Sequence, residues 1–232
     1  MDQQKKLKKH ILSTCRRNNL DFKAETGAKS LWTKSHETWL SKKTKTLEVS
    51  LRFVFEILIQ QLTQTAEGIK EYDEAILALS ETEKYKQKKD ALNCFRGIDT
   101  LTSMTLITEI GDIKRFKHPA KLTSYCGLDV AEYSSGGKEK KFGVTRMGNK
   151  RIRTSVVESC QRVDKAYTVS KRLKKHREKQ DLKIIKIADR CAIRLRKKAN
   201  RLLDNGKPRN KVKVACAREL LVFIWEALNA IA

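Results

Sequence analysis

The segment LEVSLRFVFEILIQQLTQTAEGIKEYDEAILAL, which runs from Leu47 to Leu79, decides the fold class of this protein. Its apolar residues are separated by three, four or seven positions, a spacing that keeps them on one face of a helix. These residues are Leu51, Val54, Leu58, Leu62, Ile69, Tyr72, Ile76 and Leu79. The pattern predicts a long helix whose apolar stripe fits a coiled coil or the arm of a helical hairpin.

Little in the rest of the chain interrupts helices. The 232 residues include only two prolines, Pro119 and Pro208, and five of the ten glycines lie between Gly127 and Gly148. Proline and glycine are the residues that most disfavour a helix interior. We therefore predict a mainly α fold, with a helical arm or coiled coil over residues 1–93 and a compact helical domain over residues 94–232.

The charge of the chain predicts a polyanionic partner. Lys and Arg number 51 against 27 acidic residues, a formal net charge of +24. Between Lys171 and Lys213 there are 18 basic and four acidic residues, a net charge of +14 on a stretch that also carries an apolar helical face. This imbalance favours a packed helix whose outer side contacts nucleic acid over a merely solvated charged face. The candidate contacts on this side are Lys174, Lys175, Arg194, Arg196, Lys197 and Lys198.

Membrane, zinc-finger and disulfide-rich classes are disfavoured by the sequence. No apolar run is long enough to cross a bilayer, and the start MDQQKKLKKH is not followed by the hydrophobic segment of a signal peptide. The six cysteines are widely spaced and form no CxxC pair. We expect a cytoplasmic protein with reduced, mostly buried thiols.

The segment CFRGIDTLTSMTLITEIGD, from Cys94 to Asp112, predicts a helix end, a tight turn at Gly97 and a second helix. This arrangement resembles a helix-hairpin-helix element, whose turn presents backbone N–H groups to a phosphate. Asp99 stands where the second glycine of that element is expected, and its carboxylate would repel a phosphate. The sequence therefore favours a structural hairpin over a direct DNA contact.

The least helical segment, GLDVAEYSSGGKEKKFGVTRMGNK from Gly127 to Lys150, predicts a Gly/Ser-rich loop with a short hairpin. It places the hydroxyls of Ser134 and Ser135 beside two glycines, in a region whose only acid from Lys138 onwards is Glu139. A serine that attacks a phosphodiester needs access to phosphorus and cations for the developing charge, although such a loop can also be only a connection. The candidate cations are Lys138, Lys140, Lys141, Arg146, Lys150, Arg151 and Arg153.

Several motifs in a fixed order resemble one family. They are Gly97–Thr100, Glu109–Phe116, Leu122–Leu128, Glu132–Lys138, Gly148–Asn149 and Arg151–Arg153. Together they resemble the C-terminal domain of the bridge-RNA-guided insertion-sequence transposases, the IS-one-ten family. The segment from Trp32 to Trp39 and the long helix are similar to the connecting arm of that family.

The resemblance implies a DNA transposase or recombinase component that also binds a guide RNA and forms a homo-oligomer through its helical arm. In this family a serine of the C-terminal domain is the nucleophile of DNA strand exchange. The matching residue is Ser135, with Ser134 as the alternative. The resemblance also implies an N-terminal RNase H-like domain whose acidic tetrad binds Mg²⁺.

Residues 1–45 do not match such an acidic domain, because they contain only four acids, in lysine-rich sequence without an alternating strand pattern. We therefore expect an N-terminally truncated transposase or the second piece of a split reading frame. On this view the chain binds no metal or cofactor itself, requires Mg²⁺ only together with the missing domain, and is inactive alone. The alternative hypothesis is a non-catalytic helical DNA- or RNA-binding protein, a decayed transposase.

Overall fold

A computed structural model describes the backbone of residues 2–135 and 138–231. Side chains are described for the same residues except those from 131 to 142. The chain is mainly helical, as predicted, and divides into two compact units, Met1–Ala75 and Ile76–Ala232. The predicted domain boundary between residues 93 and 94 stays a prediction. Within the described residues, no helix is both long enough and apolar enough to cross a membrane.

The first unit contains three helices and most of a fourth: α1 (Asp2–Arg17), α2 (Phe22–Thr26), α3 (Lys34–Lys45) and α4 (Val49–Ser80). The long helix predicted from the apolar stripe is thus confirmed as α4. The small core of this unit draws on α1, α3 and α4, and its buried residues are Ile11, Cys15, Leu40, Phe55 and Leu58.

The stripe of α4 is partly covered inside this unit. Leu58 is buried, and Leu51 and Leu62 are partly buried against the same core, because α1 and α3 lie over that side of the helix. Phe53 and Ile57 are exposed on α4, at 62% and 37%. Pairing of α4 with a second chain as a coiled coil stays a prediction. Substitutions on the exposed face of α4, at Phe53 and Ile57, can test this pairing.

The second unit begins with the end of α4 and carries the remaining elements. They are α5 (Glu83–Asn93), α6 (Thr100–Ile110), a 3-10 turn (Ile113–Arg115), α7 (Pro119–Tyr125), β1 (Val130–Ser135), β2 (Lys138–Val144), α8 (Lys150–Ser159), α9 (Lys171–Arg177), α10 (Leu182–Asp204) and α11 (Arg209–Ala230). The apolar last helix, α11, packs against α5, α7, α8 and α10 and supplies fully buried Leu221 and Ile224 to the core.

The turn between α5 and α6 is built into the core. Gly97 has a φ of 84°, and a Cβ there would overlap the Ser159 carbonyl oxygen at the end of α8. The Asp99 carboxylate caps α6 by accepting a hydrogen bond of 2.8 Å from the Thr102 N–H. Asp99 therefore has a structural role at this turn, while contact of the turn with DNA stays untested.

A buried arginine joins this turn to the basic part of the chain. Arg177, at the end of α9, donates two hydrogen bonds to the Cys94 carbonyl, at 3.2 and 2.8 Å. Its guanidinium also forms an ion pair of 2.8 Å with Asp189 on α10, and Tyr167 donates a hydrogen bond to the same carboxylate. Arg177 thus fixes α9 and α10 relative to the α5–α6 turn.

The six cysteines are all free and buried, as predicted. Burial raises the pKa of the Cys15 thiol to about 11 and that of Cys126 to about 12. At neutral pH these thiols are protonated and behave as small apolar core residues.

Candidate nucleic-acid interface

The segment predicted as a Gly/Ser-rich loop is largely a β-hairpin. β1 and β2 are antiparallel, and Ser134 pairs with Glu139 and Ser135 with Lys138. The pairing register shifts between Val130 and Glu132, which marks a β-bulge. Both candidate serines therefore lie in a strand, at the end of β1. The sequence analysis had predicted a loop position for them.

Several predicted site residues lie in this hairpin, where the structure describes the backbone but not the side chains. They are Ser134, Ser135, Lys138, Lys140 and Lys141, while Gly136 and Gly137, between the strands, lie outside the described residues altogether. The assignment of Ser135 or Ser134 as nucleophile stays a prediction.

Two glycines allow the base of the hairpin to lie directly on the end of α7. The Arg146 N–H donates to the Gly127 carbonyl at 3.1 Å, and the Asn149 N–H donates to the Tyr125 carbonyl at 2.8 Å. A Cβ on Gly127 would lie 2.7 Å from the Met147 carbonyl oxygen, and one on Gly148 would overlap the Tyr125 carbonyl oxygen. Only glycine, which has no Cβ, permits such a close approach of the two backbone segments. We call residues 125–129 and 145–149 together the clamp.

Asn149 extends the clamp to α6 and α8. Its side-chain oxygen accepts a hydrogen bond of 3.0 Å from the Ile152 N–H and so caps α8. Its amide nitrogen donates to the Glu109 carboxylate at 2.6 Å, and Arg151 donates to the other Glu109 oxygen at 2.8 Å. These hydrogen bonds, from Asn149 first and Arg151 second, lower the pKa of Glu109 below its ordinary value.

Two cations predicted to bind nucleic acid therefore have protein partners. Arg151 pairs with Glu109 and remains 80% exposed, so that one side of its guanidinium stays open. Arg153 is half-buried and donates to the Cys126 carbonyl at 2.8 Å. Lys150 and Arg146 are exposed beside them, and Arg146 has a φ of 58°, the left-handed conformation that the turn out of β2 requires.

The basic face predicted on α9 and α10 contains two kinds of cation. Arg194 and Lys198 pair with Glu219 of α11, the lysine at 2.8 Å. Burial opposes ionisation of Glu219, but hydrogen bonds from Lys198 and Arg194 outweigh it and lower the pKa of that carboxyl. The other four predicted residues are exposed, and no ion pair is found for them among the side chains that the structure describes: Lys174, Lys175, Arg196 and Lys197.

The sequence analysis missed a group of cations beside the clamp. Arg115, Lys117 and Lys121 line an open groove of about 730 Å³ together with Tyr125 and Met147. The local sequence KRFKHPAK held a signal in its four basic residues. Their placement on one side of the clamp depends on the 3-10 turn and the start of α7, which the sequence pattern does not specify.

No group of three or more His, Cys, Asp or Glu side chains among the described residues could hold a metal ion. The expectation that Mg²⁺ is held elsewhere stays untested.

Residues 89–176 match the model of the Transposase IS116/IS110/IS902 family. This match spans the α5–α6 turn, the clamp, the hairpin, α8 and most of α9.

Three relatives that are named as transposases extend the similarity beyond this segment. The chain is 36% identical over 135 residues, 58% of its own length, to a protein of Sinorhizobium fredii named as a transposase, of which it covers 35%. It is 28% identical over 181 residues to the transposase for insertion sequence element IS1533 of Leptospira borgpetersenii, covering 76% of the chain and 51% of that protein. It is 27% identical over 107 residues, 46% of the chain, to the IS1111A transposase of Coxiella burnetii, of which it covers 29%. The chain thus spans between about a third and a half of these relatives' lengths.

The part that matches the IS116/IS110/IS902 family contains both predicted serines, the cations of the hairpin and the groove beside the clamp. Lys174 and Lys175 also fall inside it, whereas the exposed cations of α10 lie outside.

Proposed function

We propose that this chain is a DNA transposase component that binds DNA and carries the serine nucleophile of strand exchange. The match of residues 89–176 to a transposase family carries the proposal, because that segment includes the hairpin with Ser134 and Ser135. The rigid support of the hairpin agrees with this role, since a nucleophile must be held in a fixed position relative to the bond that it attacks.

In the proposed reaction the hydroxyl of Ser135 attacks a DNA phosphorus and displaces the 3′ or 5′ oxygen of the broken strand. The product is a phosphoserine link between protein and DNA, and attack by the end of another strand restores the serine. Lys138, Lys140 and Lys141 follow directly in sequence and supply positive charge for the phosphoryl oxygens. Ser134 is the alternative nucleophile.

DNA binding is proposed for the exposed cations of the second unit. Arg196 and Lys197 project from α10 without a carboxylate partner among the described side chains, so their full charge is available to phosphates. Each phosphate that is neutralised releases counterions, and affinity therefore falls steeply with salt.

Fluorescence anisotropy with a labelled duplex at several salt concentrations tests this surface. The double substitution Arg196→Gln/Lys197→Gln should lower the slope of log K against log salt by about 1.8, since each phosphate contact contributes about 0.9. The matched control is Lys5→Gln/Lys6→Gln on α1, which removes the same charge from exposed positions of the first unit. Equal effects of the two variants would show that only the net charge matters.

The catalytic role needs a different assay. From Tyr133 to Arg153 the only acid is Glu139 and there is no histidine, so these residues offer little to activate a hydroxyl. We expect the chain alone to bind DNA without cutting or joining it. In a mixed oligomer with a full-length relative that holds Mg²⁺, Ser135→Ala in this chain should abolish its covalent DNA adduct and leave DNA affinity nearly unchanged.

Ser134→Ala is the matched control, because it removes a hydroxyl from the neighbouring position. Loss of the adduct in this variant alone would assign the nucleophile to Ser134. An adduct that forms with the chain alone in Mg²⁺ would refute the expected dependence on a partner. If neither variant changes any DNA product, the chain is the non-catalytic DNA- or RNA-binding protein of the alternative hypothesis.

Guide-RNA binding and self-association are further parts of the proposal. A structured RNA would use the same exposed cations of α9 and α10, and competition between RNA and duplex DNA for the chain tests this. Self-association is proposed through the exposed face of α4, which carries Phe53 and Ile57.

A further inference from the structure

The groove beside the clamp has the chemistry of a nucleotide site. Its polar wall consists of Arg115, Lys117 and Lys121, which come from the 3-10 turn, the following loop and α7. Its apolar wall includes Tyr125 and Met147, which are 36% and 80% exposed. Cations and an apolar surface together fit a phosphate joined to a base.

The groove has a rigid floor. Phe116 is buried beneath it, and the Trp225 indole N–H donates a hydrogen bond of 2.7 Å to the Phe116 carbonyl, which ties the loop to α11. The Arg115 guanidinium lies 4.6 Å from the ring centroids of both Phe116 and Tyr125. These contacts hold Arg115 in place before any ligand binds, so that less side-chain entropy is lost on binding.

The charge of the groove is uncompensated by its own lining. No carboxylate is among the lining residues, and the described ion pairs include none formed by Arg115, Lys117 or Lys121. The nearest acid in sequence, Asp112, accepts a hydrogen bond of 2.9 Å from the Lys114 N–H and caps the 3-10 turn. Three cations without such partners attract a phosphodiester.

The apolar wall points to an unpaired base. A duplex offers a protein surface mainly phosphates and groove edges, and neither would cover an 80% exposed methionine such as Met147. An unstacked base offers a flat face that packs against aromatic, arginine and thioether groups. Met147 also follows β2 by only three residues, so a strand that reaches the hairpin passes this wall.

We propose that this groove holds one unpaired nucleotide of the DNA strand on which the hairpin acts, with its phosphate at Arg115, Lys117 and Lys121 and its base against Tyr125 and Met147. This inference rests on the proposed DNA function and adds the position of a single-stranded segment. The groove would keep this part of the strand separated from its complement at the base of the hairpin.

Anisotropy with labelled oligothymidine, a duplex of the same length and oligouridine tests the inference on the whole chain. Met147→Ala should weaken oligothymidine binding about tenfold, in keeping with the loss of one stacking contact, and change duplex affinity less than twofold. Lys117→Gln should weaken oligothymidine binding and reduce its salt slope by about 0.7. Lys114→Gln is the matched control, since it removes the same charge from the preceding 3-10 turn, outside the groove, and it should have a smaller effect.

The outcomes separate the two proposals. If the chain binds DNA with a steep salt dependence but the Met147 and Lys117 variants bind oligothymidine like wild type, the groove inference is wrong and DNA binding stands. If the chain binds neither DNA form, the proposed function itself fails. Equal losses for duplex and single strand in Met147→Ala, or a loss confined to oligouridine, would overturn the assignment to an unpaired DNA nucleotide.

Discussion

The substitution Gly148→Ala tests whether the clamp determines the stability of the hairpin region. Gly148 has a φ of 142°, which residues with a side chain rarely adopt, and a Cβ there would overlap the Tyr125 carbonyl oxygen. Backbone strain of this kind costs about 1–3 kcal/mol. The overlap adds to it, because the Tyr125 carbonyl accepts the Asn149 N–H and cannot move without breaking that hydrogen bond. We expect a total loss of about 3 kcal/mol or more in the free energy of local opening.

The matched control is Gly206→Ala, in the turn between α10 and α11. Gly206 has a φ of 71°, and nothing lies within 4 Å of a Cβ at that position. This variant keeps the conformational cost of about 1–2 kcal/mol and removes the overlap. Amide hydrogen exchange by mass spectrometry should show faster exchange across α7 and α8 in Gly148→Ala than in the control. Equal protection in the two variants would refute the reasoning about the clamp.

Three further predictions concern stability, pH and assembly. Arg177→Met should lower the free energy of unfolding in urea by about 3 kcal/mol, because it removes charged hydrogen bonds to the Cys94 carbonyl and the ion pair with Asp189. A decrease of less than about 1 kcal/mol would contradict this prediction. The pKa of Glu109 is lowered, so the ionised side chain stabilises the fold above its ordinary pKa of 4.5, and this contribution is lost as the pH falls through the lower pKa of the folded state. Glu109→Gln should therefore make the free energy of unfolding less dependent on pH on the acid side. An unchanged dependence on pH would refute this. Phe53→Asp/Ile57→Asp should reduce the mass in sedimentation without lowering Tm, since both side chains are exposed on α4; a wild-type mass would count against self-association there.

The helices of this protein were predictable because their periodic apolar residues report burial directly. The α4 stripe, the apolar face of α10 and the apolar α11 follow from spacing alone, and the structure has all three as helices. The spacing of apolar residues does not show which other helices pack against an apolar stripe. Leu58 is buried by α1 and α3 of its own unit, and that packing depends on contacts between segments distant in sequence.

The segment that matches the transposase family could be located from its motifs, but its shape could not be predicted as fully. Gly127 and Gly148 looked like loop residues, because glycine is common in loops, but each is required for a close backbone approach between two segments. The segment has little alternation that would mark a buried face, so the sequence predicted a loop with only a short hairpin, whereas β1 and β2 take up most of the segment. The groove at Arg115 was missed because its cations converge only once the 3-10 turn and α7 are in place.

The distribution of partners among the cations explains why charge alone could not define the interface. Arg194 and Arg196 are two residues apart on α10 and would be equivalent in any count of charge. Arg194 faces α11, where the partly buried Glu219 would be left without partners if its cations were removed. Arg196 is exposed and has no carboxylate partner among the described side chains. The first arginine joins two helices and the second is exposed to solvent, so α10 has a side that packs on α11 and an exposed basic side, and the two arginines differ by a rotation of about 200° around the helix.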